Sequence, residues 1–337
     1  MTHGDADHFE GLVEIRKSEE NPEPRKRLFL APKRVYHNGL VKRPGTRGGR
    51  RVPDKELLGP TSEVGGATIL TGLVDDLLGV PDEELNRPFR EWKEALRDWN
   101  ARSPIEFRRL SFGDDAAFDF LGDDLQVSVL GPFLTGEGAT RGLKFLGEPP
   151  RGPRIGHESL DVGEAGFKGF SASHTINGHS VVFRLRYGGF SYLFSGDLND
   201  EAGRALARRH QLGEINLRSE VFKVPHHGSA DFSGAFLKMV SPVVSVVSSG
   251  DETARKEFIH PRATLVGALG RHSRVDEPLI FVTELVAFFN LEGPSRLTDG
   301  QKAEERGTFF AFSRAAFGIV KTRTDGNRLL VGHLDRP

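Results

Sequence analysis

An α/β fold is predicted for this 337-residue chain on three observations. Between Ser180 and Thr283, short runs rich in β-branched and aromatic residues alternate with helical runs, an order that layers helices on a sheet. Asp197 and the His226-His227 pair each arrive where a strand has just ended, which is where α/β folds assemble sites. Composition supports a sizeable core, since 37% hydrophobic residues with 40 glycines and 19 prolines is ordinary for a soluble globular protein.

The elements follow in order. Met1 to about Arg16 reads as a polar loop entering a short helix, with Asp7 near the helix N-terminus, where negative charge is favoured. From Pro24 to Pro53 the chain carries ten Lys/Arg and no Asp/Glu; such a run is either a solvated surface loop or a phosphate-contacting stretch. A helix from about Arg87 to Arg102 places Phe89, Trp92, Ala95, Leu96 and Trp99 at three- and four-residue steps, so its tryptophans are expected in a core. Leu125 to Leu130 alternates as a strand and stops at Gly131-Pro132; a Gly-rich stretch follows to about Ser171. Strands are expected at Ser180–Arg186, Phe190–Ser195, Val221–Val224 and Val243–Ser248, with helices at Glu201–His210 and Phe232–Val240. Leu279 to Thr283 should be a last strand of the series. Leu291 to Gly307 reads as a polar surface loop, and Phe309–Lys321 with Arg328–His333 flank a Thr324-Asp325-Gly326-Asn327 turn expected to close a sheet edge.

Several classes are excluded. With 46 Lys+Arg against 47 Asp+Glu the net charge is -1, so any nucleic-acid site must be local. The absence of cysteine removes disulfides, thiolate metal sites and cysteine nucleophiles. No apolar run approaches the ~18 residues of a membrane span, and the acidic, histidine-bearing start is unlike a signal peptide, so a cytoplasmic chain is expected. There is no Gly-x-x-x-x-Gly-Lys-Ser/Thr phosphate loop. Gly178-His179-Ser180-Val181-Val182 lacks the final glycine of a nucleophile elbow. The Gly48-Gly49-Arg50-Arg51 run is too short to name an RNA module.

A lone histidine is more often a surface or core residue than a ligand. Here, however, His3, Asp5, Asp7 and His8 fall within six residues, and His174, Asp197, His227 and His260 flank predicted strands. In a chain without thiols, a dinuclear centre needs imidazoles and carboxylates converging from separate loops around a bridging carboxylate.

Four motifs in sequence order carry a resemblance: His3-x-Asp5-x-Asp7-His8, Ser195-Gly196-Asp197 after a strand, Val224-Pro225-His226-His227-Gly228-Ser229, and His260-Pro261 before a helix. With them, Thr2–Leu12, Phe120–Pro132 and Asn177–Thr283 resemble the metallo-β-lactamase superfamily, and more closely the hydrolase domain of ComEC-like competence proteins and their stand-alone relatives. The resemblance implies a single αββα sandwich over residues 1–337, apparently lacking its first strands. It leaves a basic insertion at about 17–110, a Gly-rich loop at about 133–171 and a loop insertion at about 286–308. The family has several strands before its first metal motif, which here starts at residue 3; a misplaced start codon, strands supplied from elsewhere or a remnant would each account for that.

By the same resemblance, His3 and Asp5 would bind a first metal ion, Asp7 and His8 a second, with Asp197 bridging and His227 completing the second site. His174 is expected as third ligand of the first ion, with Asn177 and His179 as alternatives, and His260 is either a ligand or the acid that protonates the leaving group. The expected cofactors are two divalent ions, Zn or Mn, with Asp5, Asp7 and Asp197 shifting preference toward manganese. A metal-bridging hydroxide would attack a phosphodiester in nucleic acid or a nucleotide. Asp7 and Asp197 would be essential to it, and His226 or His260 would serve as general acid. Arg47, Arg50 and Arg51 would hold flanking phosphates, and Ser229 would be a further substrate contact. Two alternatives stand beside this one: a non-catalytic metal-binding module that binds nucleic acid or a partner protein, and an ester, thioester or lactone hydrolase on the same centre.

Overall fold

The structure, a computed structural model, describes residues 1–147, 171–250, 260–283 and 318–333. Its first part holds helix α1 (Glu10–Ser18), strands β1 (Arg34–His37), β2 (Thr46–Arg47), β3 (Arg50–Arg51), β4 (Thr61–Val64) and β5 (Ala67–Leu70), helix α2 (Arg87–Arg102) and strand β6 (Glu106–Arg109). Helix α2 starts because Asn86 Oδ1 accepts from the Phe89 amide at 3.1 Å and Pro88 occupies the first turn. It ends at Ser103, held extended by Pro104. The face predicted to be apolar is buried, and both tryptophans are core residues, Trp99 donating Nε1–H to Glu19 at 3.0 Å.

That helix ties the stretch expected as a basic insertion, about 17–110, into a buried core. Phe89, Trp92, Leu96 and Trp99 share one core with Phe9, Val13, Val41 and Ile105, so the segment is a packed layer against the N-terminal motif. The basic run hid this because its apolar residues are scattered among charges, and only α2 gathers enough of them on one face.

Strand β7 (Leu125–Gly131) precedes the short β8 (Leu143–Lys144). The strand β8 pairs with β5, so part of the expected Gly-rich loop is sheet; residues 148–170 lie outside the described residues. Then come α3 (Ala172–Gly178), β9 (Val182–Tyr187), β10 (Phe190–Phe194), α4 (Asp200–Gln211), β11 (Val221–Lys223), α5 (Gly234–Val240), β12 (Val244–Val247), α6 (Ala263–His272) and β13 (Leu279–Val282). A six-stranded sheet runs β13-β12-β11-β10-β9-β7, parallel from β10 to β13 and antiparallel where β9 meets β10 and β7. Each parallel crossover carries a helix, as parallel pairing requires. Leu193, Leu206, Phe222, Phe236, Val247 and Leu265 fill the space between sheet and helices, each contributing about 1.5–3 kcal/mol of burial. The chain is therefore of mixed α/β class.

Strands β14 (Val320–Thr324) and β15 (Leu329–His333) form a hairpin of their own. The expected turn is present, Asp325 Oδ1 accepting from the amides of Asn327 and Arg328. Residues 309–317 of the expected edge segment lie outside the described residues, and the hairpin meets the β9–β10 turn, where Gly189 N donates to Gly326 O at 2.8 Å. The expected loop at 286–308 lies outside the described residues. Among the described residues no helix is long and apolar enough to cross a membrane.

Candidate metal centre

The motif near residue 3 is tied down on two sides. The Val181 amide donates to Thr2 O at 2.8 Å, fixing the motif beside the start of β9. Phe9, directly after His8, sits in the core with ring centroids 5.1 Å from Phe89 and 6.1 Å from Trp92. Between these anchors, Ala6–His8 forms a 3-10 turn that presents Asp7 and His8 together.

Asp197 meets them from the end of β10. Its turn requires glycine: Gly196 has φ +53, and a Cβ there would stand 2.6 Å from Ser180 Oγ and 3.0 Å from Thr2 Cβ. The Asp197 amide donates to Ser180 Oγ at 2.9 Å, which aims the carboxylate at the motif. After β11, His226 and His227 both adopt left-handed backbone, at φ 49 and 52. That conformation costs about 1–3 kcal/mol per non-glycine residue and recurs at functional sites. It turns His227 toward the same carboxylate.

Four residues thus converge, Asp7, His8, Asp197 and His227, their ligand atoms all within 4.8 Å of one another. His227 Nε2 lies 3.0 Å from Asp7 Oδ2 and 3.3 Å from Asp197 Oδ2, and His8 Nε2 lies 3.2 Å from Asp197 Oδ1. His3 Nε2 approaches Asp197 Oδ2 at 3.9 Å. The far side of each ring is engaged. His227 Nδ1–H donates to Ser248 O at 2.8 Å, Thr2 Oγ1 lies 3.1 Å from His3 Nδ1 and 3.3 Å from His8 Nδ1, and Ser180 Oγ lies 3.3 Å from His3 Nδ1. Three imidazoles therefore turn Nε2 inward, the arrangement that outer hydrogen bonds impose on metal-binding histidines.

The electrostatics agree with a cation position. His3 Nε2, His8 Nε2 and Asp197 Oδ1 are buried without a hydrogen-bond partner among the described residues. Leaving such groups unpaired costs about 1–3 kcal/mol each, and a cation would satisfy all three. Burial pushes His3 down to about 3, so its ring is neutral and its lone pair free for a ligand bond. For His227, burial pulls the same way but loses to the hydrogen bonds its ring donates to the Asp197 and Asp7 carboxylates, which lift it to about 10. Asp197 shows the mirror image, since burial favours its neutral form while His227 and His8 hold it well below the usual carboxylate range.

The remaining expected residues fall into two groups. Near the cluster, Asn177 Nδ2 lies 3.5 Å from His226 Nε2 with Asn177 Oδ1 buried and unpartnered, and the His226 and His260 rings are 6.0 Å apart. Burial lowers His226, and burial with the His226 charge lowers His260 to about 4. In both, burial favours the neutral ring. Elsewhere, His174 turns Nδ1 to Asp231 Oδ2 at 3.5 Å, and His179 Nε2–H donates to Lys144 O at 2.7 Å. Both His174 and Asn177 lie on α3, which points His174 to Asp231 and Asn177 to His226. Asp5 lies 3.5 Å from Lys42 Nζ, outside the four-residue group; burial raises its pKa against the pull of that lysine. Ser229 Oγ accepts from the Asp231 amide, a local turn contact. Arg47, Arg50 and Arg51 sit on the exposed β2–β3 hairpin, with Arg47 4.0 Å from Glu56 and Arg51 3.9 Å from Asp54.

Sequence reasoning missed Lys223. It is partly buried at the end of β11, donates to Gly196 O at 3.3 Å and stands 3.9 Å from Asp197 Oδ1; desolvation lowers it while Asp197 and Asp7 pull it back up. The available signal was a lysine in an otherwise apolar strand directly before the histidine pair.

No protein-family profile matches the chain. Two curated relatives match part of it. ComE operon protein 3 of Bacillus subtilis (strain 168) is 30% identical over 98 residues, 29% of this chain and 12% of that protein. Competence protein ComA of Neisseria gonorrhoeae is 37% identical over 97 residues, 28% of this chain and 13% of that protein. The chain is thus similar over part of its length to competence proteins, and the match spans only about an eighth of theirs.

Proposed function

We propose that Asp7, His8, Asp197 and His227 hold a divalent cation, with His3 and Asn177 facing a second position across Asp197, and that the chain is a metal-dependent hydrolase of phosphodiesters in nucleic acid or nucleotides. The observation that carries this reading is the set of buried, partnerless imidazole and carboxylate atoms turned toward one another. The parallel strand-helix series and the partial similarity to competence proteins support a metallo-β-lactamase-like sandwich as the frame. Zinc and manganese both suit mixed nitrogen and oxygen ligands.

When bound, such a cation supplies Lewis-acid polarisation of a phosphoryl oxygen and acidifies water at its open position. The chain's own residues do the rest. Thr2, Ser180 and the Ser248 carbonyl fix the imidazole orientations. Asp197, shared by His3, His8 and His227, sets the spacing. Lys223 Nζ stands 3.9 Å from Asp197 Oδ1 at the edge of the centre, where its ammonium would favour bound anions. His226 and His260, neutral, offer hydrogen bonds from the side of Asn177.

The test is cleavage of single-stranded DNA with added manganese or zinc. Asp7→Ala and Asp197→Ala should each reduce it to background while far-ultraviolet circular dichroism keeps the wild-type shape. Equal cleavage by wild type and both variants means a contaminating nuclease and overturns the reading. Fewer than one metal equivalent by mass spectrometry after native purification would favour the non-catalytic module. Turnover of a chromogenic ester without phosphodiester cleavage would favour the ester hydrolase.

A further inference from the structure

A cavity of about 670 Å³ opens between the stretch after β5, the end of β6 and the loop that follows β7. No member of the cation cluster lines it. Its walls carry three arginines brought from two distant segments, Arg108 and Arg109 at the end of β6 and Arg141 beyond Gly138, against two carboxylates, Asp75 and Asp114. The sequence shows no charge run there, so only folding assembles the group.

The cations are not neutralised in kind. Asp114 spends Oδ2 on the Ser111 amide at 2.7 Å and the Ser111 hydroxyl at 2.9 Å, and its other oxygen is 3.7 Å from Arg108, beyond hydrogen-bond reach. Asp75 takes the Arg109 Nε at 3.1 Å and is 76% exposed, so water screens that pair. Arg141 has no ion pair with any described residue. The stem of Arg109 is held in place by Gly39, where φ is +85 and a Cβ would stand 2.5 Å from Arg109 Cδ. A guanidinium fixed by its stem loses little freedom when it binds, and its planar fork matches phosphate oxygens two at a time. The volume lies within the roughly 300–1,000 Å³ of small-molecule sites.

We propose that this cavity binds the phosphate groups of a nucleotide or of an oligonucleotide strand, at Arg108, Arg109 and Arg141. The inference stands apart from the hydrolase reading, because it requires no divalent cation. Binding is therefore measured in EDTA, with ADP by calorimetry and with a short fluorescein-labelled single-stranded DNA by anisotropy. At least one probe should bind the wild type. Arg141→Gln and Arg108→Gln should each weaken it roughly tenfold, the scale of a lost charge-assisted hydrogen bond. Arg141→Lys should recover only part, since it restores charge without the fork. Arg141 is exposed and without an ion-pair partner among the described residues, so its variants test binding rather than folding. Binding of ADP marks a nucleotide site, and binding of the strand alone marks a substrate track. The proposal is overturned if neither probe binds, if Arg141→Gln binds as the wild type does, or if Asp7→Asn abolishes binding while Arg141→Gln is silent, which would place the phosphate at the cation cluster.

Discussion

The cation cluster and the basic stretch from Pro24 to Pro53 are built in opposite ways. At the cluster the side chains are few and sequestered: Asp197 is 5% exposed, His3 is fully buried, and His3 Nε2 and Asp197 Oδ1 have no hydrogen bond among the described residues. Along the basic stretch the charges are many and mostly exposed, and several are paired, Arg34 with Glu106, Arg47 with Glu56 and Arg51 with Asp54. Such solvent-facing pairs contribute only about 0–1 kcal/mol. Density of charge along the chain is thus a poor guide to chemistry; unsatisfied burial is a better one.

The comparison can be broken at several points. Phe89→Ala removes the ring that holds Phe9, and should cost about 3–5 kcal/mol in urea unfolding. It should also weaken divalent-cation binding, because Phe9 anchors His8; Phe236→Ala, of similar cost in the sheet core, should leave cation affinity nearer the wild type. Equal effects on cation binding would mean the two cores do not divide the labour. Next in size, His8→Ala or His227→Ala should lower cation affinity about 100-fold by calorimetry, the scale of losing a well-oriented ligand.

A smaller effect concerns His37, pushed down to about 4 by burial against the bond to Asp75 O. Between about 4 and 6.5 the unfolded chain binds this proton and the folded chain does not. Its contribution is therefore present above pH 6.5 and is lost as pH falls toward 4, by at most about 1.4 kcal/mol per unit. His37→Gln should flatten the slope of urea stability across that window. Smallest of all, Arg47→Gln with Arg51→Gln should change stability by no more than ~0.5 kcal/mol. A larger loss would show that the hairpin is not the solvated element it resembles.

Much of the sheet was legible beforehand, because strands such as Phe190–Phe194 and Val221–Lys223 and helices such as α2 announce themselves by local period and by flanking Gly, Asn and Pro. Asp7, His8, Asp197 and His227 were among the ligands the family resemblance implied, and folding brings their ligand atoms within 4.8 Å of one another. The layer formed by residues 17–110 was not legible, because its core joins Phe9 to Trp92 and Ile105 across long loops that leave no periodic trace.

The amino-acid order by itself determined which chemical groups were available, imidazoles and carboxylates without thiols, and which strands would deliver them. Tertiary structure alone decided that α3 turns Asn177 rather than His174 toward His226, that Lys42 claims Asp5, and that three arginines meet in a cavity. The physical reason is that strand and helix formation depend on neighbours in sequence, whereas desolvation, orphaned polar atoms and charge pairing depend on neighbours in space.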